Sequence, residues 1–206
     1  MRWMGLAVLL LLAASAAAEE APEAERAGPF LGIEGLDVSD PAHRDPARLA
    51  LLGGAAPLLG RTRPVAWETL EPHAPVMGGR HLRAWDVLDP ALAAWAEAGV
   101  DVVLVLDPRS PWASQPAEES SWRGSVRASL SEADAEALVA GARGASPPRE
   151  DAWDDWELLL KDLVERYDGD GEGDADPARL HWIQVIERPA SSEYWIGSES
   201  EYGRLL

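Results

Sequence analysis

Two kinds of apolar run take turns along the chain: short continuous ones, and longer ones spaced at helical intervals. Phe30-Leu31-Gly32-Ile33-Glu34-Gly35 predicts a short strand. Asp45-Pro46 opens a helix through Leu52, which Gly53-Gly54 stops. Ala56 to Val65 predicts a second strand, weakened by Pro57 and Pro64. A helix follows from Asp86 to Ala98, ended by Gly99 as a C-terminal cap. Val100 to Leu106 is nearly all apolar, as a parallel strand covered on both faces would be. Asp107 to Arg149, rich in Pro, Ser, Gly and Ala, reads as a surface excursion holding one helix, Ser131 to Ala142. From Asp151 to Tyr167 the residues Trp153, Trp156, Leu159, Leu160, Leu163, Val164 and Tyr167 keep helical spacing. After an acidic, glycine-rich loop, Leu180 to Ile186 predicts a fourth strand, and Ser198 to Leu206 a last helix. Strands alternating with helices imply an α/β fold with a parallel sheet, either doubly wound or a (β/α) barrel. The first strand-helix loop has no G-x-G-x-x-G, which counts against a dinucleotide fold.

The amino terminus changes this picture. Arg2, the apolar run Leu6 to Ala14 and the small residues Ser15-Ala16-Ala17-Ala18 predict a secretory signal over 1–18, cleaved near Ala18. Residues 19–29 form an Ala/Glu/Pro leader expected to be disordered, and 30–206 one domain. The expected localisation is therefore secreted, periplasmic or extracellular. With no cysteine there is neither a lipoprotein anchor nor a disulfide framework. A net charge of −18 repels phosphate backbones and anionic lipid, so no nucleic acid and no membrane are expected as partners. Ten Trp stand against one Phe and three Tyr; their faces suit sugar rings, but most sit at core-like spacing.

Candidate chemistry is sparse. Asp168, Asp170, Glu172 and Gly173 start like a calcium loop, yet the twelfth position, where a bidentate Glu belongs, is Arg179. His43, His73, His81 and His181 have no metal spacing, and no G-x-S-x-G elbow is present. No metal and no cofactor are expected.

The stretch Arg61-Thr62-Arg63-Pro64-Val65-Ala66-Trp67-Glu68-Thr69-Leu70-Glu71-Pro72 resembles the signature after the second barrel strand of clan A retaining glycoside hydrolases, the cellulase, beta-xylosidase and beta-galactosidase families. Further likenesses keep the same order: Trp85-Asp86-Val87-Leu88-Asp89, Ala98-Gly99-Val100, Pro111-Trp112-Ala113, Leu163-Val164-Glu165-Arg166-Tyr167, and Tyr194-Trp195-Ile196-Gly197-Ser198 with Glu201-Tyr202. Between the last two, Trp182-Ile183-Gln184-Val185-Ile186-Glu187-Arg188-Pro189 resembles the strand that ends in Asn-Glu-Pro, whose Glu is the acid/base.

The resemblance implies a partial (β/α)8 barrel, its first four βα units, with a site at the carboxyl ends of the strands. It also implies a carbohydrate substrate and hydrolysis of O-glycosidic bonds, with Arg61 or Arg63, Trp67 and Trp112 binding the sugar. Arg188 stands at the acid's position and cannot donate a proton near neutrality. Regular alternation would turn Glu187 away from that position, so it becomes a surrogate acid only if a local bulge re-aims it. The nucleophile of the family belongs to a seventh strand beyond these four units, so a catalytically incomplete hydrolase is expected. The alternative is a non-catalytic secreted carbohydrate-binding or interaction protein using the Trp112 rim. Open sheet edges imply a homo-oligomer or a complementing second half-barrel as partner.

Overall fold

A computed structural model describes residues 31–52 and 58–206. The expected signal (1–18), the leader (19–29) and the helix stop at Gly53-Gly54 lie outside the described residues.

The fold is α/β, built on a sheet whose pairings are all parallel. Its strands are β1 (Leu31–Leu36), β2 (Leu58–Thr62), β3 (Val65–Ala66), β4 (Val100–Asp107) and β5 (Trp182–Val185). β1 pairs with β2, β2 with the first half of β4, and β3 with the end of β4, while β5 lies along the other side of β4. β2 and β3 therefore occupy one strand position, and the order across the sheet follows the chain without reversal. Pro64, which has no N–H to donate, sits in the break between them. The buried Thr62 side chain covers the break, its Oγ1 accepting from Val105 N at 2.9 Å.

Helices connect the strands: α1 (Pro46–Leu52), α2 (Trp67–Leu70), α3 (Asp89–Glu97), α4 (Ser121–Ser129), α5 (Glu132–Gly141), α6 (Trp153–Tyr167) and α7 (Glu199–Leu205). Gly99 ends α3 in the left-handed conformation, φ +73°, as its position predicts. α7 begins with a capping box, Ser198 and Glu201 each bonding the other's backbone N–H. The expected excursion after β4 carries two helices rather than one; Gly124 and three serines dilute the apolar pattern of α4. The excursion is tied down: Ala145 N donates to Tyr194 O at 2.8 Å and Ile196 N to Ala145 O at 2.9 Å. A Cβ on Gly144 would overlap Trp195 N, so only glycine permits this approach.

One face of the sheet holds the core. Leu58, Val100, Val102, Leu104 and Leu106 pack with Leu92 and Trp95 of α3 and with Trp156, Leu159, Leu163 and Tyr167 of α6. The helical stripe read from residues 151–167 is this buried face of α6. The opposite face is more open. Register brings Glu34, Arg61, Val103 and Trp182 into one row across it, none of them buried.

Candidate functional site at the carboxyl end of the sheet

Arg61 stands at the end of β2 on the open face. Its Nε donates to Gln184 Oε1 at 3.0 Å, and its Nη1 lies 3.4 Å from Glu187 Oε1 and 3.8 Å from Glu34 Oε1. Two carboxylates thus share one guanidinium nitrogen. Their nearest oxygens are no farther apart than those two distances laid end to end. Glu187 is mostly sheltered, whereas the Glu34 side chain is 82% exposed.

The direction of Glu187 corrects the expectation from alternation. Ile186 has φ +61°, the left-handed conformation, and its side chain is buried. Such backbone is a genuine outlier for a β-branched residue. It changes the facing of everything after it, so Glu187 turns toward the same partner as Gln184. The Gln184 amide holds the turn, donating from Nε2 to Ile186 O and to Glu187 O, each at 3.1 Å. Arg188, expected at the acid's position, instead points outward, and its guanidinium lies 5.4 Å from the centre of the Tyr194 ring.

The remaining expected ligand-binding residues lie elsewhere. Arg63 is exposed and pairs with Asp37 at 3.3 Å. Hydrogen bonds from Ser39, reinforced by the Arg63 and His43 charges, hold the Asp37 carboxyl below its usual range. Trp67 is fully buried and cannot offer a face to a sugar. Its ring meets Trp112 and Trp156 edge-on at 5.0 and 5.4 Å, and its Nε1 donates to Glu71. Trp112 is half-buried, packed on Trp67, with Nε1 donating to Glu71 O at 3.0 Å. Its role here is to brace the loop after β3.

Asp107, at the end of β4, makes a third acid–arginine pair at this end of the sheet. It accepts from Arg109 Nε and Nη2 at 2.9 and 2.6 Å. Those bonds raise the Arg109 pKa against the opposing effect of burial. Asp37, Asp107 and Glu187 are thus each held by an arginine near a strand's carboxyl end.

A second polar cluster lies beneath Trp67. Glu71 is fully buried and accepts from Trp67 Nε1, Arg83 Nη1 and the His81 ring, the last at 2.6 Å. His81 Nε2 reaches Asp155 at 3.4 Å, and Arg83 reaches Asp162 at 2.9 Å, which fastens residues 71–84 to α6. Burial, together with the Glu71 and Asp154 charges, raises the Asp155 carboxyl above its usual range, against the pull of His81 and Arg83. In the acidic loop the carboxylates of Asp168, Asp170 and Asp174 lie within 4.8 Å of one another. Those of Asp168, Asp170 and Asp174 accept from backbone N–H groups of the same loop. Glu172 of the calcium-like start is not among the three, and Arg179, at the twelfth position, pairs with Asp176.

Sequence reasoning missed Gln184, His81 and Arg83. Glu34 reads from the sequence only as a strand residue. Register across the parallel sheet is what assembles Glu34, Arg61 and Gln184, and no local pattern announces it.

Compared with protein-family models, with curated proteins and with solved structures, the chain matches none.

Proposed function

We propose that the chain is a glycoside-hydrolase-like scaffold, the first four units of a (β/α)8 barrel, which takes a carbohydrate at the carboxyl end of its sheet. The observation that carries this reading is Glu187, turned by Ile186 onto Arg61, which Gln184 also holds. A carboxylate, a guanidinium and a primary amide side by side offer both acceptors and donors to neighbouring sugar hydroxyls. The strand order supports the barrel. Parallel crossovers are right-handed in about 98% of cases, so an order that never reverses places the connecting helices on one face. That is the arrangement of a barrel, whose sites lie at the carboxyl ends of the strands.

Binding without cleavage is the expected activity of the described residues. Retaining hydrolysis needs two carboxyl groups about 5–5.5 Å apart, flanking the scissile bond. Here the second carboxylate near Glu187 is Glu34, and both touch the same Arg61 nitrogen, so the guanidinium occupies the place the bond would need. Export follows from the reading of residues 1–18 and is checked by the amino-terminal sequence of protein recovered outside the cytoplasm. The function is tested by electrophoresis in gels containing soluble polysaccharides, alongside release of nitrophenol from aryl glycosides. Retardation without release, abolished by Arg61→Ala, is the expected result. Absence of retardation across glucans, xylans, mannans and galactans would sink the proposal. Release abolished by Glu187→Gln would instead make the protein an enzyme.

A further inference from the structure

We infer that Gln184 is the positioning residue of this site, setting both the backbone turn that aims Glu187 and the arginine that receives it. The inference rests on the reading of Glu187 and Arg61 as the working groups, but its geometry stands apart from any ligand. Three hydrogen bonds leave one side chain: Oε1 accepts from Arg61 Nε at 3.0 Å, and Nε2 donates to Ile186 O and Glu187 O, both at 3.1 Å. The primary amide uses one acceptor and both donors, each toward a different part of the site. Ile186 is left-handed at φ +61°, a conformation that is strained in a non-glycine residue and persists only where its surroundings enforce it. Its own N–H is held by Leu106 O at 2.8 Å, and its side chain is buried. Among the described residues no backbone N–H meets the carbonyls of Ile186 and Glu187, and Gln184 meets both. Tyr202 Oη supports the strand just before the turn, donating to Val185 O at 3.3 Å.

Removing the donors while keeping the shape separates positioning from packing. Gln184→Glu retains an acceptor for Arg61 but turns two donors into acceptors facing two carbonyl oxygens. Gln184→Leu removes all three bonds.

The test is solution NMR of the full chain. The three-bond amide–α coupling of Ile186 reports its φ, and the Arg61 Nε–H resonance reports the guanidinium's partners. In the wild type, Ile186 shows the left-handed coupling, and the Arg61 Nε–H resonance is displaced from its position in Glu187→Gln. In Gln184→Glu and Gln184→Leu, Ile186 takes the extended coupling and the Glu187-dependent shift disappears. Thermal melts of both variants verify that the fold is retained, and Gln184→Met, unbranched and of similar length, serves if Leu does not fold. An Ile186 coupling unchanged in Gln184→Glu, or a wild-type Ile186 that is extended, overturns the inference. Failure to retain any polysaccharide with these couplings intact removes the carbohydrate reading and leaves the positioning role standing.

Discussion

The Glu187 carboxylate meets the Arg61 guanidinium at 3.4 Å across 126 residues of sequence. The contact exists because the chain reverses its facing once, at Ile186, between Gln184 and Glu187. Both partners are largely sheltered, but neither is cut off from water, so the pair adds little to stability. Glu187→Gln is expected to lower the unfolding free energy by about 1 kcal/mol or less while abolishing polysaccharide retention. Urea melts and affinity electrophoresis on the same protein read the two effects. A loss of several kcal/mol would mean that the pair holds the fold rather than a ligand.

Trp67 and Trp112 touch edge-on, but removing them should have unequal consequences. Trp67 is fully buried among Trp112, Trp156 and Glu71, so Trp67→Ala leaves a large cavity and costs about 3–5 kcal/mol. Trp112→Phe keeps an aromatic ring against Trp67 and loses one hydrogen bond to Glu71 O, about 1 kcal/mol. Chemical denaturation measures both. Retention by carbohydrate gels should survive Trp112→Phe and Trp112→Ala alike; its loss would return Trp112 to the binding surface.

Most of the architecture could be read from residue patterns. β4 is a continuous apolar run and α6 a clean helical stripe, and the structure contains both, because each depends on periodicity within one segment. The site was only half legible. Arg61 stood out through the motif around it, yet nothing local distinguishes it from Arg63. The choice is made by register, which brings Arg61 opposite Glu34 and Val103 while Arg63 falls in the break before β3. Glu187 is visible in the sequence, but regular alternation points it away from Arg61. Alternation is the default for a strand, and a left-handed isoleucine leaves no mark in composition or spacing. The resemblance implies sugar binding for Trp67 because a strand end is a usual place for a binding residue; the single turn of α2 folds it into the core instead.

Glu71 concentrates more risk than any other charged residue beneath the site. Its carboxylate has no exposure, and Arg83, which pairs with it, is almost as deeply buried. Deleting one partner of a buried pair leaves an uncompensated charge, whereas replacing both by apolar groups is often neutral. Glu71→Leu alone and Arg83→Met alone should therefore each destabilise by about 3–5 kcal/mol. The double variant should lose less than the sum of the two, a coupling of at least about 1 kcal/mol. Equilibrium denaturation of the four proteins gives the cycle, and strict additivity would show that the two side chains act independently.

Asp89, at the start of α3, contributes to acid stability. Burial raises its pKa, but hydrogen bonds from Arg166, at 2.9 and 2.6 Å, and from Tyr167 Oη, at 2.8 Å, outweigh that and leave it lowered. The same bonds raise the Arg166 pKa, and burial with the Asp89 bond raises that of Tyr167. A carboxyl whose folded pKa lies below its unfolded value of about 3.9 stabilises the protein above that pH, and the benefit is lost as pH falls through the folded value. Asp89→Asn should thus destabilise at neutral pH by about 1–2 kcal/mol, reflecting weakened charge-assisted bonds to a pair roughly a third exposed. As pH falls through that folded value wild type and variant should converge, since protonation removes the same charge. Urea midpoints measured from neutral pH downward decide the matter: parallel curves with no convergence would show that Asp89 is not the group responsible. The alkaline side offers a control, because the difference should stay constant through pH 7 to about pH 9, where neither Asp89 nor Arg166 changes charge.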